Sequence, residues 1–262
     1  MRRGVPIKAV ILAGGFGTRI SEETHLRPKP MVEIGGMPII WHIMKHYSHH
    51  GINEFVICLG YKGYMIKEFF SNYALHSSDV TLNLATGQTS IHSNNSEPWK
   101  ITLVDSGEDS QTGRRLQKVA EYVKGEDFCF TYGDGVSNVN ISKLIEAHKA
   151  SQNSVTMTAI RPPSRYGAIK LENDKVIHFS EKPKSGEEYI NGGFFVVSPS
   201  ALNYLSSENQ SWEADVLPKI AEAGSLGAFR HDGFWQSMDT LRDKNLLEEL
   251  WQQSNPPWKT WL

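Results

Sequence analysis

The chain of 262 residues reads as an α/β protein, a mostly parallel sheet flanked by helices with a smaller C-terminal lobe. Three observations lead there. Apolar strand-like runs and amphipathic helical stretches alternate through the first half, as in repeated βαβ units. The first apolar run, Val10-Ile-Leu-Ala13, breaks off in a glycine-rich turn, Gly14-Gly-Phe-Gly17. The length suffices to bury a sizeable core, and no linker or internal repeat divides the chain, so residues 1–262 are expected to form one domain.

Element by element, residues 7–13 predict a buried strand. Residues 38–50 predict a helix, with Ile40, Ile43, Met44 and Tyr47 on one face and Gly51 as its stop. Strands follow at 54–60, 80–84, 101–104 and 128–132, and helices at 65–73 and 115–124. The strand at 128–132 ends in Gly133-Asp-Gly135. The polar stretch 85–100, holding Asn94, Asn95 and Pro98, reads as an irregular excursion at the sheet edge. In the second half, strands are expected at 154–160 and 191–197. Segments 168–171 and 176–180 flank Glu172-Asn-Asp174, a turn sequence that predicts a hairpin. Helices at 214–223 and 241–252 make residues 201–262 a helical lobe.

Composition narrows the function. Lysine plus arginine is 27 against 29 acidic residues, a net charge of −2, which argues against nucleic acid or an anionic membrane as partner. Cys58 and Cys129 lie in apolar runs and read as buried reduced thiols. The N-terminus is basic, but its apolar run is too short for a signal core, and no run approaches a membrane span. A soluble cytoplasmic protein is expected.

The chemistry is concentrated in a few places. After the glycine turn come Thr18 and Arg19, and ten residues later Lys29 within Arg27-Pro-Lys-Pro30. Glycines let backbone N–H groups approach phosphate oxygens, and fixed cations neutralise a triphosphate. A Walker loop and a dinucleotide fingerprint are both disfavoured, because no Gly-Lys-Ser/Thr follows and Ile20 stands where the fingerprint needs its third glycine. A plain strand-to-helix turn is the competing reading, but it gains nothing from two adjacent cations. Asp134 and Asp239, each a turn or cap residue if taken alone, together suit a Mg²⁺ ion, which takes one or two carboxylates plus phosphate oxygens and water. Glu181-Lys-Pro183 reads by itself as a surface ion pair. Ser110-Gln-Thr-Gly-Arg-Arg115 reads as a helix N-terminus with Thr112 as cap. His42, His46, His49 and His50 have spacings zinc sites use, but no acidic partner in a known pattern, and also read as a polar helix face or an intersubunit surface. Trp251, Trp258 and Trp261 form an apolar tail, docked on its own domain or packed at a subunit contact.

The run Leu12-Ala-Gly-Gly-Phe-Gly-Thr-Arg19 followed by Lys29-Pro30 resembles the signature of the sugar-1-phosphate nucleotidyltransferases. Segments along the whole chain are similar to their glucose-1-phosphate cytidylyltransferase branch. They include Trp41-His-Ile-Met-Lys45, Glu97-Pro-Trp99, Thr131-Tyr-Gly-Asp-Gly135, Ile190-Asn-Gly-Gly-Phe-Phe195, Met238-Asp-Thr-Leu-Arg-Asp243 and Pro257-Trp-Lys-Thr-Trp261. The resemblance implies a Rossmann-like nucleotidyltransferase fold, with CTP and glucose 1-phosphate as substrates and CDP-glucose and pyrophosphate as products. It implies Mg²⁺ on Asp134 and Asp239, with Arg19 and Lys29 as the catalytic cations. Leu12, Ala13, Gly14, Gly15, Phe16, Gly17, Thr18, Arg19, Lys29, Ser110, Arg115 and Gly133 would bind the nucleotide, the 110–115 segment helping to select cytosine. Gly167, Glu181, Lys182, Asn191 and Gly192 would bind the sugar phosphate; Gly167 as a plain turn and Gly192 as a bulge are the competing readings. Arg114 departs from the pattern, standing where these enzymes commonly have glycine. A homo-oligomer is implied, as is a role in supplying CDP-glucose for dideoxyhexose and O-antigen synthesis. The competing functions are a uridylyl- or thymidylyltransferase of the same family and a non-catalytic nucleotide-sugar-binding regulatory subunit.

Overall fold

The computed structural model of the protein describes residues 7–162, 168–172, 175–180 and 188–261. Seven strands make its central sheet: β1 Ala9–Ala13, β2 Glu54–Leu59, β3 Lys100–Asp105, β4 Phe128–Tyr132, β5 Val155–Ile160, β6 Ile190–Val197 and β7 Leu226–His231. Their order across the sheet is β7-β5-β6-β4-β1-β2-β3. All run parallel except β6, which lies antiparallel to both β4 and β5. The α-helices of six residues or more are α1 Ile39–His49, α2 Gly63–His76, α3 Thr112–Val119, α4 Ile141–Ala150, α5 Leu217–Glu222 and α6 Leu241–Trp251.

Strand β1 shows why these residues fold this way. All five of its side chains are buried, as a continuous apolar run at the centre of a parallel sheet requires. Ala9, Ile11 and Ala13 face one core, built with α1, α4, Ile66 of α2, Leu247 of α6 and the tail tryptophans Trp258 and Trp261. Val10 and Leu12 face the other, built with Leu116 and Val119 of α3, Ile220 of α5 and Trp212 just before it. Period-two alternation in one strand thus feeds two cores. The edge strands β3 and β7 are half-exposed.

The sequence expectations meet the structure with shifted ends: 38–50 becomes α1, 65–73 lengthens into α2, and 115–124 becomes α3 plus a 3₁₀ turn at Ala120–Tyr122. Thr112 is not a cap. Gln111 holds that position without a side-chain bond, and the Thr112 hydroxyl is engaged elsewhere. The 214–223 helix starts instead as a π-helical turn, Trp212–Val216, and continues as α5. Segments Ala168–Glu172 and Lys175–Ser180 pair as the expected hairpin. Val80–Asn83 pairs with Gln88–Ile91 in a second hairpin, off the sheet and largely exposed, before the chain returns through residues 92–99 to β3.

The histidines also fall differently. His42 and His46 are buried in the core rather than set on a polar face. His42 Nε2 donates to the Ile34 carbonyl, and its Nδ1 faces the Trp258 indole N–H at 3.4 Å. His46 Nε2 donates to the Val139 carbonyl and its Nδ1 accepts from Thr260. Both rings therefore clamp the C-terminal tail against α1. Among the described residues no group of three or more histidine, cysteine, aspartate or glutamate side chains could hold a metal. Cys58 and Cys129 are buried and unpaired, and burial pushes the Cys58 thiol up to about 12. No described helix is long and apolar enough to cross a membrane.

Candidate active site

A cleft of about 690 Å³ opens at the carboxyl ends of β1 and β4. Strands added on the β2 side of β1 give way there to strands added on the β4 side, the switch point where open α/β sheets bind ligands. Residues Leu12 to Arg19 form one edge of the cleft, with Lys29 and Pro30 behind. Residues Glu108 to Thr112 stand on the β3 side, and Asn191, Gly192 and Gly193 of β6 on the other.

Close packing shapes the glycine turn. A Cβ on Gly14 would lie 2.1 Å from the Arg115 guanidinium, and Gly17 sits at φ 64°, a left-handed conformation that favours glycine. Gly15 has open space in front of it, which leaves that part of the turn accessible from the cleft.

The two aspartates converge, although 105 residues separate them in sequence. The cause is a two-stranded ribbon, Gly135–Ser137 against Trp235–Ser237, whose register sets Gly135 opposite Ser237. Asp134 precedes the first strand and Asp239 follows the second. The Met238 N–H donates to the Asp134 carbonyl at 2.8 Å, closing the turn. Behind Asp239, Thr240 and Asp243 form a capping box that starts α6, and Asp243 also accepts from the Asp239 N–H at 3.2 Å.

Lys29 joins them. Its Nζ donates to Asp134 and to Asp239, each at 2.7 Å, and Arg19 pairs with the other oxygen of Asp239 at 3.0 Å. Burial alone would lower the Lys29 pKa, but the two carboxylates outweigh it and hold the ammonium above its usual range. Burial likewise works to raise Asp239, and the hydrogen bond and charge of Lys29 overcome it, so that the carboxyl lies below its usual range. A buried ion pair is weak evidence for stability, since desolvation offsets most of the attraction. At a cleft mouth it speaks for chemistry. The Arg19 side chain is 71 % exposed, so its pairing with Asp239 is worth at most about 1 kcal/mol and leaves it available to a ligand.

This arrangement also tests the fit of a metal. Two carboxylates already share one cationic centre, the Lys29 ammonium, and present hard oxygen donors to the open cleft. That donor set suits a divalent cation completed by phosphate oxygens and water.

The remaining predicted site residues separate into three groups. Ser110 and Gly133 line the cleft, and Asn191 is held on its far wall by a 3.2 Å bond from its amide to Tyr132. Gly192 lies where the pairing of β5 with β6 shifts register. Gly167, Glu181 and Lys182 lie outside the described residues. Arg115 reaches the cleft, but its guanidinium is engaged within the protein. It donates to the carbonyls of Gly14, Leu59, Gly107 and Glu108 and to the Ser106 hydroxyl at 2.7–3.2 Å. Burial lowers its pKa. Its visible work is to bind the glycine turn to the loops after β2 and β3. Arg114 does not line the cleft; its side chain bonds Gln117 one turn on.

Tyr132, Glu213, Trp235 and Ser237 line the cleft too and were not singled out from the sequence. Tyr132 adjoins the Gly133-Asp134 pair, which was a usable signal. Glu213, inside Ser211-Trp-Glu213, had none.

Residues 8–248 match the family described as Nucleotidyl transferase. The chain is 56% identical over 256 residues to "Glucose-1-phosphate cytidylyltransferase" of Salmonella typhi, covering 97% of this chain and 100% of that one. It is 43% identical over 258 residues to "Probable glucose-1-phosphate cytidylyltransferase" of Bacillus subtilis, with the same coverage. Among solved structures, HddC from Yersinia pseudotuberculosis superposes with a TM-score of 0.69 at 24% identity, covering 94% of this chain and 100% of that chain, a likeness of fold.

Proposed function

The chain belongs to the nucleotidyl transferase family, and from that premise we propose that it transfers the cytidylyl group of CTP to α-D-glucose 1-phosphate, giving CDP-glucose and pyrophosphate. The observation that carries the chemistry is the Lys29 ammonium held by Asp134 and Asp239 beside the glycine turn. A phosphate oxygen of the sugar phosphate attacks the α-phosphorus of CTP in line, the bond to the β-phosphate breaks, and pyrophosphate leaves. No covalent enzyme intermediate is needed, because the incoming phosphate is already a nucleophile at neutral pH. Catalysis is positioning and charge stabilisation. The N–H groups of the glycine turn hold the triphosphate, Arg19 leaves Asp239 to neutralise the departing pyrophosphate, and Lys29 balances charge at the reacting centre. Asp134 and Asp239 would hold Mg²⁺, which when bound neutralises phosphate charge. By resemblance, Lys182 receives the incoming phosphate and Glu181 the sugar hydroxyls, with Ser110 on the nucleotide. The reading includes a cytoplasmic homo-oligomer that supplies CDP-glucose for dideoxyhexose and O-antigen synthesis.

The test is pyrophosphate release by the purified protein with glucose 1-phosphate and each of CTP, UTP, dTTP and GTP. CTP should be preferred, and activity should vanish with EDTA and return with Mg²⁺. Preference for UTP or dTTP would overturn the cytidylyl assignment; nucleotide binding without turnover would leave a regulatory protein.

A further inference from the structure

Residues 209–213 grip the loop on the β3 side of the cleft. The Gln111 N–H donates to Asn209 at 2.7 Å, and the Asn209 amide donates to the Asp109 carbonyl at 3.1 Å. The Arg114 N–H reaches the Gln210 carbonyl at 3.1 Å, and the Trp212 N–H donates to the Thr112 hydroxyl at 2.8 Å. A side chain on Gly113 would strike the Gln210 carbonyl, 2.9 Å from a Cβ there.

Glu213 carries this grip across the cleft. One carboxylate oxygen accepts from Thr112 at 2.6 Å and Ser211 at 2.9 Å; the other accepts from Tyr132 at 2.6 Å. Tyr132 in turn accepts from the Asn191 amide. An ionised carboxylate only accepts, so each hydroxyl must donate to it and offer its lone pairs outward. The sense of every bond is thereby set: Trp212 N–H to Thr112, Thr112 to Glu213, Tyr132 to Glu213, Asn191 to Tyr132. The Asn191 oxygen is then left to accept from the Gly193 N–H, which it does at 2.8 Å. Glu213 lies in the π-helical turn, a widened geometry frequent at functional sites. It faces the cleft, where hydrogen bonds between exposed groups add little to stability.

We propose that Glu213 is a positioning residue for both substrates, setting the loop wall through Thr112 and the Asn191 wall through Tyr132. The proposal rests on the nucleotidyl-transfer reading, in which the two walls take different substrates. On this reading Glu213 acts by fixing the distance and orientation between them.

Steady-state kinetics on the full chain, varying CTP and glucose 1-phosphate separately, tests it. Glu213→Ala should raise KM for both substrates about tenfold, the scale of a lost charge-assisted bond at each wall. Glu213→Gln, which keeps an acceptor and the shape, should recover part of both. Tyr132→Phe should raise KM for glucose 1-phosphate alone. A Glu213→Ala protein with a lowered melting temperature and unchanged KM values would show a merely structural role and overturn the proposal. Should that variant not fold, wild-type KM values in both Glu213→Gln and Tyr132→Phe would overturn it equally. The wild-type protein run in parallel separates the two claims. If it does not turn over CTP with glucose 1-phosphate, the functional reading fails. The variants are then compared by calorimetry with whichever nucleoside triphosphate and sugar phosphate the wild type binds, and unchanged affinities sink the positioning claim.

Discussion

Asp134 and Arg19 differ in what they give up when a substrate arrives. Asp134 is fixed at a ribbon end and bonded to Lys29, whereas the exposed Arg19 makes one weak pair with Asp239. Neither does much for the fold, so their removal should read out in chemistry. Arg19→Ala and Asp134→Ala are each expected to lower kcat at least about tenfold, the scale of removing one charge-stabilising group. Melting temperatures should stay within a few degrees of the wild type. Near-normal turnover by either purified variant removes it from the catalytic assignment. Arg115 is the instructive contrast. The residues around it read only as a helix N-terminus, and resemblance to the family is what made it an expected nucleotide ligand. In the fold its guanidinium is committed to carbonyls that shape the glycine turn. Which atom an arginine reaches depends on three loops meeting, and spacing in one of them cannot show that.

Helix α1 shows how tertiary contacts complete an element that local pattern describes only in part. Its apolar face was legible from Ile40, Ile43, Met44 and Tyr47 at helical spacing. That His42 and His46 also point inward was not, because the partners lie far off at Ile34, Val139, Trp258 and Thr260. Strand β7 escaped notice for a related reason: an edge strand holding Gly227, Ala228 and Arg230 lacks the apolar alternation that marks its buried neighbours. Helix α4 went unread as well, although its Asn140 cap and its Ile141, Leu144 and His148 face carried a signal. The meeting of Asp134 and Asp239 was foreseen only through resemblance, since it depends on a ribbon of three-residue strands. The two buried histidines of α1 make a prediction for pH. Burial pulls His42 from 6.5 to about 4 and His46 to about 3. Protonation would also turn each accepting Nδ1 into a donor facing another donor. The folded chain therefore resists protons that the unfolded chain takes up below 6.5. Stability is lost as pH falls from 6.5 toward these lower values, by about 1.4 kcal/mol per unit for each ring. Denaturant unfolding at pH 7 and pH 5 should show about 2 kcal/mol of that loss per histidine. His46→Gln, which can still donate to Val139, should abolish one histidine's share. An acid slope identical to wild type in that variant would rule this mechanism out.

Across the whole molecule, the sheet separates two cores, and the C-terminal tail closes one of them. Trp258 is 1 % exposed, stacks on Phe234 with ring centroids 5.7 Å apart, and lies 5.8 Å from Trp251. Phe234 leads into the ribbon that presents Asp239, so tail and site are neighbours in the chain's architecture. The site, however, has its own local locks: the ribbon register, the Thr240–Asp243 capping box and the Lys29 bonds. If these suffice, loss of the tail contact lowers global stability and leaves the site intact. Trp258→Ala should cost about 3–5 kcal/mol, the range for removing a large buried aromatic side chain. A ligand that binds only the native state adds stability by mass action, about 2.7 kcal/mol at one hundred times its dissociation constant. CTP with Mg²⁺ at that excess should therefore raise the unfolding free energy of the wild type and of Trp258→Ala by the same amount. The variant would regain most of what it lost, with an unchanged dissociation constant by calorimetry. A smaller gain or a weaker dissociation constant in the variant would show that the tail, through Phe234, also sets the position of Asp239.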